Sequence, residues 1–396
     1  MKVSDLAGMI RLGPQGLDRL NSYGDFEKVA KRRLPKMIYD FVAGGADGEV
    51  TLRANRTAFE QVRWAPRFLS DVSGRDISTK VFDHQLDVPF ICGPAGLARL
   101  VHREGELATA RAAGKAGTVF VVSTGSSYSM EEIADVATGP VWFQLYLWKS
   151  PEVVKSLVDR AKRSGYEALV LTIDVPAVGK RERDFRNGMT LPPQIRLRGA
   201  LDTSWRWWWL YHLLTGPDIN FGSLTDVVEG DVDVASVGVY VDRELNDPTK
   251  TWADLSELRR MWDGPLLVKG VMTAADAKHA VDHGADGVIV SNHGGRQLDS
   301  VPGALEVLPE VVDVVGDRAE VILDGGVRRG EDIVKAKALG ASATMGGRPW
   351  FWGLCAGGEG GVTKMLDIFK ADVVRTLALI GVARYDDVDG TSLRDD

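Results

Sequence analysis

Eight short runs rich in Val, Ile and Leu, recurring at nearly even intervals, limit what this chain can fold into more than any other feature. They are VPFICG, TVFVVS, PVWFQLY, ALVLTID, LLVK, GVIVS, EVILD and SATMG, ending at Gly93, Ser123, Tyr146, Asp174, Lys269, Ser291, Asp324 and Gly346. Short apolar runs that alternate with amphipathic stretches read as strands of a parallel sheet covered by helices. Successive ends lie 30, 23, 28, 95, 22, 33 and 22 residues apart. Six of these gaps suit one helix and two loops, so the eight units predict an α/β fold, the closed (β/α)8 TIM barrel. The fourth gap exceeds a barrel unit of roughly 30 residues by about 65 to 70, which predicts a long insertion after strand four.

A single domain over residues 1–396 is expected, with an N-terminal cap over 1–86, a barrel over 87–365 and a C-terminal helix and tail over 366–396. The insertion falls at about residues 190–250. In the cap, DFEKVAKRRLPKMIYDFVAGG repeats apolar residues at helical spacing on both sides of Pro35, predicting two helices that meet at a break. Ser129 stands three residues before Glu132 as a capping box, and RGEDIVKAKALGA ends a periodic apolar face on glycine. Hydrophobic residues at 44% and charged ones at 26% supply a large core and exclude disorder. A net charge of −7 argues against a nucleic-acid surface. Cys92 and Cys355 share no CxxC spacing and read as buried free thiols in a reducing compartment, with no metal site. No run reaches the roughly 18 apolar residues of a spanning helix, and the first twenty residues lack a stretch of signal length, so a cytoplasmic protein is expected.

Polar residues gather where barrel enzymes keep their chemistry, at the carboxyl ends of the strands. Ser123, Gln144, Tyr146, Thr172, Asp174, Lys269, Ser291, His293, Asp324 and Arg348 each end or closely follow an apolar run. Any one of them reads most simply as a residue meeting solvent; ten together point to a site. DGGVRRG after strand seven and GGRPW after strand eight place free backbone N–H groups beside Arg328 and Arg348, an anion cradle suited to the phosphate of a cofactor or substrate. The sharpest segment is SNHGGRQLD, residues 291–299. There an imidazole, His293, can take a proton near neutral pH, and the Arg296 guanidinium can grip a carboxylate through two parallel hydrogen bonds. Arg181 would supply a second clamp, and Asp174 would orient the imidazole and stabilise its charged form. These parts suit removal of hydrogen from a carbon beside a carboxylate.

SNHGGRQLD, together with LPKMIYDFVAGG, WFQLY, LTIDVP, LLVKG and DGGVRRG in this order, resembles the FMN-dependent (S)-2-hydroxyacid oxidase and dehydrogenase family. The resemblance runs from about Ala30 to the C-terminal helix. It implies a barrel holding FMN non-covalently, with the phosphate at Gly325, Gly326, Arg328, Gly347 and Arg348. Pro94, Ala95, Gly96, Ser123, Gln144, Thr172 and Ser291 would contact flavin or ribityl groups, Asp324 would complete the cofactor set, and Lys269 would favour the anionic reduced ring. His293 would act as base with Asp174 as partner, Arg296 and Arg181 would bind the substrate carboxylate, and Tyr146 would hydrogen-bond near the substrate hydroxyl. Whether the α-hydrogen leaves as proton or hydride stays open at this level; in both cases His293 accepts one proton.

Two departures from the family pattern bear on substrate. Phe41 stands where members usually carry a tyrosine whose hydroxyl helps bind the carboxylate, a loss of roughly one kcal/mol. Gly125 stands where glycolate-oxidising members carry tryptophan, and with Gly96 it leaves room for an aromatic substituent, most similar to the mandelate-oxidising members. The resemblance therefore implies a mandelate-like substrate, with a quinone or O2 as electron acceptor. A lactate or glycolate oxidase that uses O2 and releases H2O2 is one alternative. A catalytically silent flavin-binding scaffold is another, opposed by the intact His293, Asp174, Arg181 and Arg296. In the insertion, SWRWWWLYHLL packs four tryptophans between Trp205 and Trp209. Such residues favour a bilayer interface, with Arg196, Arg198 and Arg206 approaching lipid phosphates, although Asp226, Glu229, Asp231 and Asp233 soon follow. Residues 196–214 are thus expected either to meet the inner face of the cell membrane or to pack on the barrel or a neighbouring subunit. The resemblance also implies a homotetramer or larger assembly.

Overall fold

The computed structural model describes residues 16–189, 197–224 and 247–394. Eight parallel strands form a closed barrel: β1 (Phe90–Cys92), β2 (Phe120–Ser123), β3 (Val141–Leu145), β4 (Ala168–Thr172), β5 (Leu266–Val271), β6 (Gly287–Val290), β7 (Glu320–Asp324) and β8 (Ala343–Gly346). Each strand pairs with the next, and β8 closes on β1 through Met345 opposite Ile91. All eight apolar runs thus supply the barrel. The two-residue period of a strand sorts the side chains. Val121, Trp142, Val170, Leu267, Ile289 and Ile322 fill the interior, while Val122, Phe143, Leu169, Val268, Val290 and Leu323 join the outer core beneath the helices. Two residues beyond the interior set come Ser123, Gln144, Thr172, Lys269, Ser291 and Asp324, so the same alternation that builds an apolar core ends it in a polar upper layer.

A hairpin, Thr79–Val81 with His84–Leu86, plugs the opposite end. Its Val81 and Leu86 belong to the interior cluster, and Phe82 lies 6.0 Å from Trp142. The cap comprises α1 (Tyr23–Arg33), α2 (Lys36–Ala43) and α3 (Val50–Gln61). α1 and α2 are broken at Pro35, as the spacing predicts. Ser129 and Glu132 make the expected capping box, and Gly340, with φ of +100°, follows the helix Gly330–Ala338. Both cysteines are free and buried. The last helix, Arg348–Ile380, kinks at Gly357 and Gly358 and runs straight through position 365, so the C-terminal segment continues the barrel's final helix.

Two helices of the insertion are described, Leu197–Ser204 and Trp207–Thr215. Trp209 is buried and donates its Nε1–H to the Leu100 carbonyl at 2.7 Å, and Trp208 stacks under the Arg33 guanidinium at 4.6 Å. Trp205 and Trp207 are 76% and 75% exposed, as are Tyr211 and Leu214 in large part. Arg206 corrects the expectation of a lipid-facing cation. Its Nη2 pairs with Asp202 at 2.8 Å and its Nη1 donates to the Arg32 carbonyl, so the side chain staples the insertion to α1. Arg196, Asp226, Glu229, Asp231 and Asp233, and the side chain of Arg198, lie outside the described residues. No helix among the described residues is long and apolar enough to cross a membrane.

Candidate active site

A cavity of about 400 Å³ opens at the carboxyl ends of the strands, between the barrel and the cap. Its floor is the polar upper layer. Lys269 Nζ donates to Ser291 Oγ at 2.9 Å and pairs with Asp324 at 2.9 Å, and Ser291 Oγ donates to the same Asp324 carboxylate at 2.7 Å. Burial disfavours the Lys269 ammonium, but the carboxylates of Asp324 and Asp174 outweigh it and hold the pKa above the ordinary lysine value. The floor therefore carries a permanent cation.

His293 sits on the wall with Nδ1 3.0 Å from Asp174 Oδ1, leaving Nε2 for the cavity. Three consecutive left-handed residues, His293, Gly294 and Gly295 at φ of +58°, +63° and +74°, turn the chain sharply off β6. This explains the two glycines: a Cβ on Gly295 would fall 2.6 Å from the Leu52 amide nitrogen. The non-glycine member carries the imidazole, and Ser291 Oγ, accepting the His293 N–H at 3.1 Å, helps hold it there. Asp174 also needs a neighbour without a side chain. Gly270 bulges β5 at φ of +106°, and a Cβ there would lie 2.7 Å from that of Asp174. Burial pushes the Asp174 carboxyl up, yet His293 and then Lys269 outweigh burial and keep it below the ordinary range, so it stays ionised.

Two guanidinium groups flank the imidazole. Arg181 Nε is bound to Asp184 Oδ2 at 2.8 Å, and Arg296 Nη1 donates to the carbonyls of Phe41 and Gly44 at 2.7 and 3.0 Å. Both face the Phe41 ring, at 5.6 and 5.3 Å, so the phenyl that replaces a tyrosine still holds the cations by its π face. Burial, and next the charges of Arg181 and Arg348, push the Arg296 pKa well down. Clustered like charges in a closed space mark where an anion would bind.

Gly325, Gly326, Gly347 and Arg328 line the far end of the cavity. The Arg328 guanidinium lies over the Tyr23 ring at 5.2 Å and makes no hydrogen bond to another described residue. The N-terminus of the Arg348–Ile380 helix, with Pro349 in its first turn, faces the same space. Arg348 differs from the simple cradle expected of it. Its Nε, Nη1 and Nη2 donate to the carbonyls of Val42, Gly294 and Gly44 at 2.9, 3.0 and 2.9 Å, binding the C-terminus of α2 to the histidine loop. The Val42 and Gly44 carbonyls belong to the unpaired last turn of α2, whose dipole favours cations. Pro94, Ala95, Gly96 and Ser123 line the cavity, whereas Gln144 and Ser291 lie below its wall and Thr172 faces an adjacent cavity. Gln144 Oε1 accepts from Ser123 Oγ at 3.1 Å, and its buried Nε2 finds no acceptor.

The remaining end is apolar. Gly96 and Gly125 pack so closely that a Cβ on Gly96 would stand 2.5 Å from the Gly125 carbonyl oxygen. Val178, Met189 and Phe221 line the same end, and sequence reasoning missed them because Met189 borders the insertion, Phe221 lies within it and neither carries a motif. Glu106 was missed as well. This fully buried carboxyl accepts the N–H groups of Ala98 and Ser127 at 3.0 and 2.8 Å, tying together the loops that bear Gly96 and Gly125.

A phosphate-sized cationic end, a lysine on the floor, a buried amide donor lacking an acceptor and an imidazole between two guanidiniums fit a flavin mononucleotide and a 2-hydroxycarboxylate. Fold and site together define a flavin-dependent α-hydroxyacid oxidoreductase. The chain belongs to the FMN-dependent dehydrogenase family, whose model matches residues 30–395. It is 41% identical over 379 residues to 2-hydroxyacid oxidase 1 of Homo sapiens, covering 96% of this chain and 97% of that protein. It is also 41% identical over 373 residues to an L-lactate oxidase of a Nostoc species, covering 93% and 96%. Among solved structures, monotopic membrane protein (S)-mandelate dehydrogenase superposes with a TM-score of 0.91 at 39% identity, covering 95% of this chain and all of that one. A mandelate oxidase superposes at 0.80 and 38% identity, covering 95% and 98%. The protein is an FMN enzyme that oxidises the CH–OH group of a 2-hydroxyacid.

Proposed function

We propose that the substrate is an (S)-2-hydroxyacid with an aryl substituent, oxidised to the 2-oxoacid. The observation that carries this reading is the apolar end of the cavity, lined by Gly125, Val178, Met189 and Phe221, where Gly96 and Gly125 pack backbone to backbone and send no side chain into the space beside the cationic carboxylate site. FMN, when bound, supplies the two-electron acceptor. Arg328, Gly325, Gly326, Gly347 and the helix N-terminus at Arg348 would hold its phosphate, Lys269 its ring system, and Gln144 Nε2 one of its acceptors. Arg181 and Arg296 bind the substrate carboxylate and fix the hydroxyl end towards His293 Nε2. His293 accepts one proton, and Asp174, held ionised, stabilises the imidazolium that results. Burial, and then the Asp174 charge, raise the Tyr146 pKa, so its phenol remains a donor to the substrate oxygen.

The reductant-side chemistry leaves the acceptor to be supplied from outside, and a membrane quinone is the proposed one. Exposed Trp205, Trp207, Tyr211 and Leu214 form an amphipathic ridge suited to the inner surface of the cell membrane, and the solved mandelate dehydrogenase is described as monotopic. Exposed Phe68, Leu69 and Leu379 add apolar surface that self-association, in the proposed homotetramer or larger assembly, would cover. The test is anaerobic mixing of the FMN-loaded protein with (S)-mandelate, (S)-lactate or glycolate, followed by oxygen. Fast bleaching of the flavin by mandelate with slow recolouring is the expected result. Faster bleaching by the small acids with prompt recolouring would identify an oxidase of small acids instead, and no bleaching by any acid would leave a scaffold.

A further inference from the structure

The histidine loop and the loop after β4 carry between them every polar group proposed to handle the substrate, except Tyr146. His293 and Arg296 lie on the first, Asp174 and Arg181 on the second. One side chain outside that set bridges the two. Gln297 Nε2 donates to the carbonyls of Asp174 at 3.0 Å and Ala177 at 3.1 Å, and its Oε1 accepts the Gly179 N–H at 3.3 Å. Alongside it the backbones touch: a Cβ on Gly179 would stand 2.2 Å from the Arg296 carbonyl oxygen and 2.8 Å from the Gln297 Cα.

We propose that Gln297 is a positioning residue that sets the register of the two loops, and with it the His293–Asp174 contact and the spacing of the two guanidiniums. This rests on the hydroxyacid reading above. The joint demands two donors and one acceptor in a single planar group, which among the side chains near this length is an amide. A glutamate would turn an oxygen towards two carbonyl oxygens, and a methionine would fill the volume without any of the three bonds. The phosphate end of the cavity is built on other loops, after β7 and β8, so loosening the joint should separate substrate handling from cofactor retention.

The experiment compares Gln297→Met, Gln297→Glu and Gly179→Ala, the last forcing the joint apart from the opposite loop. FMN affinity is read by flavin fluorescence, and binding of phenylacetate, a carboxylate without a reacting hydroxyl, by perturbation of the flavin spectrum. Bleaching by (S)-mandelate is followed against pH at saturating substrate. Because a displacement of about 1 Å costs on the order of 100-fold in rate, bleaching should slow at least about tenfold. Its pH profile should shift, phenylacetate should bind more weakly, and FMN affinity should stay within about twofold of the parent. Bleaching within threefold of the parent in both Gln297→Met and Gly179→Ala would overturn the proposal. So would loss of FMN or of the folded state in step with activity, which marks a general structural role. Should the parent itself resist bleaching by every 2-hydroxyacid, the substrate reading falls, while the phenylacetate arm still reports on the joint.

Discussion

The barrel mouth and the tryptophan-rich helices of the insertion solve opposite problems with the same chain. At the mouth, buried charged groups are fixed by two or three partners, Lys269 by Ser291 and Asp324, Arg296 by two carbonyls and Arg348 by three, while Arg181 and Arg328 keep donors open towards the cavity. In the insertion, apolar groups are exposed and the helix Trp207–Thr215 is held by the rings of Trp208, Trp209 and His212 packed below it. Buried charge is costly to leave unpaired, so the mouth is rigid by necessity. Exposed aromatic surface tolerates movement, and a surface that docks elsewhere gains from it. Substitutions should therefore fall into two groups, one acting on chemistry and the other on attachment alone.

The largest effect belongs to the mouth. His293→Ala removes the proton acceptor and should slow flavin bleaching by on the order of 10²–10⁴ while FMN stays bound, measured by stopped flow. Retained turnover would remove His293 from its role. The matching change in the insertion, Trp205→Ser with Trp207→Ser, should leave bleaching unaltered and abolish co-sedimentation with anionic vesicles; slowed bleaching would mean that the two regions are not separable. Next comes substrate choice. Gly125→Trp should fill the apolar end and lower kcat/KM for (S)-mandelate about 100-fold against glycolate, the scale of a steric discrimination in a hydrophobic pocket. Phe41→Tyr is smaller: a restored hydroxyl should tighten carboxylate binding about fivefold, near one kcal/mol, seen as a lower KM with kcat little changed.

The mouth was far more legible in the sequence than its supports. Strands buried on both faces leave unbroken apolar runs, and their interior alternation carries through to Ser123, Gln144, Lys269, Ser291 and Asp324. The histidine and its arginine share one motif. What stayed hidden acts through backbone or through space. The ligands of Arg296 and Arg348 are main-chain carbonyls at the end of α2 and in the histidine loop, which leave no side-chain signal. Gly270 matters because Asp174, distant in sequence, needs the volume beside it. The plugging hairpin has strands of three residues, too short for a periodic pattern. Of the four clustered tryptophans, one proved buried, one half-buried and two exposed, because a helix turns successive side chains by 100° and an unbroken aromatic run does not say which face is wet.

The smallest effect on turnover is a pH dependence that tells the two regions apart. Burial, followed by the charges around it, lowers the pKa of His102 to about 3 and that of His212 to about 4; the rings lie 4.1 Å apart, with Arg33 and Arg103 as the cationic neighbours. Both are therefore neutral when the Trp207–Thr215 helix is docked. An undocked histidine titrates near 6.5, so below that pH the undocked state binds protons that the docked state refuses. Docking is fully favourable above about pH 6.5 and weakens by on the order of 1 kcal/mol per pH unit for each histidine as the pH falls towards 4. Asp174 behaves differently. Its pKa lies below the ordinary carboxylate range, so its contribution is complete above about pH 4 and is lost only as the pH falls through the lowered value. Between pH 6.5 and 4 the tryptophan emission should shift while flavin absorbance holds steady, and His212→Phe should flatten the emission curve. Emission and flavin signals that move together would mean that the insertion and the mouth unfold as one unit.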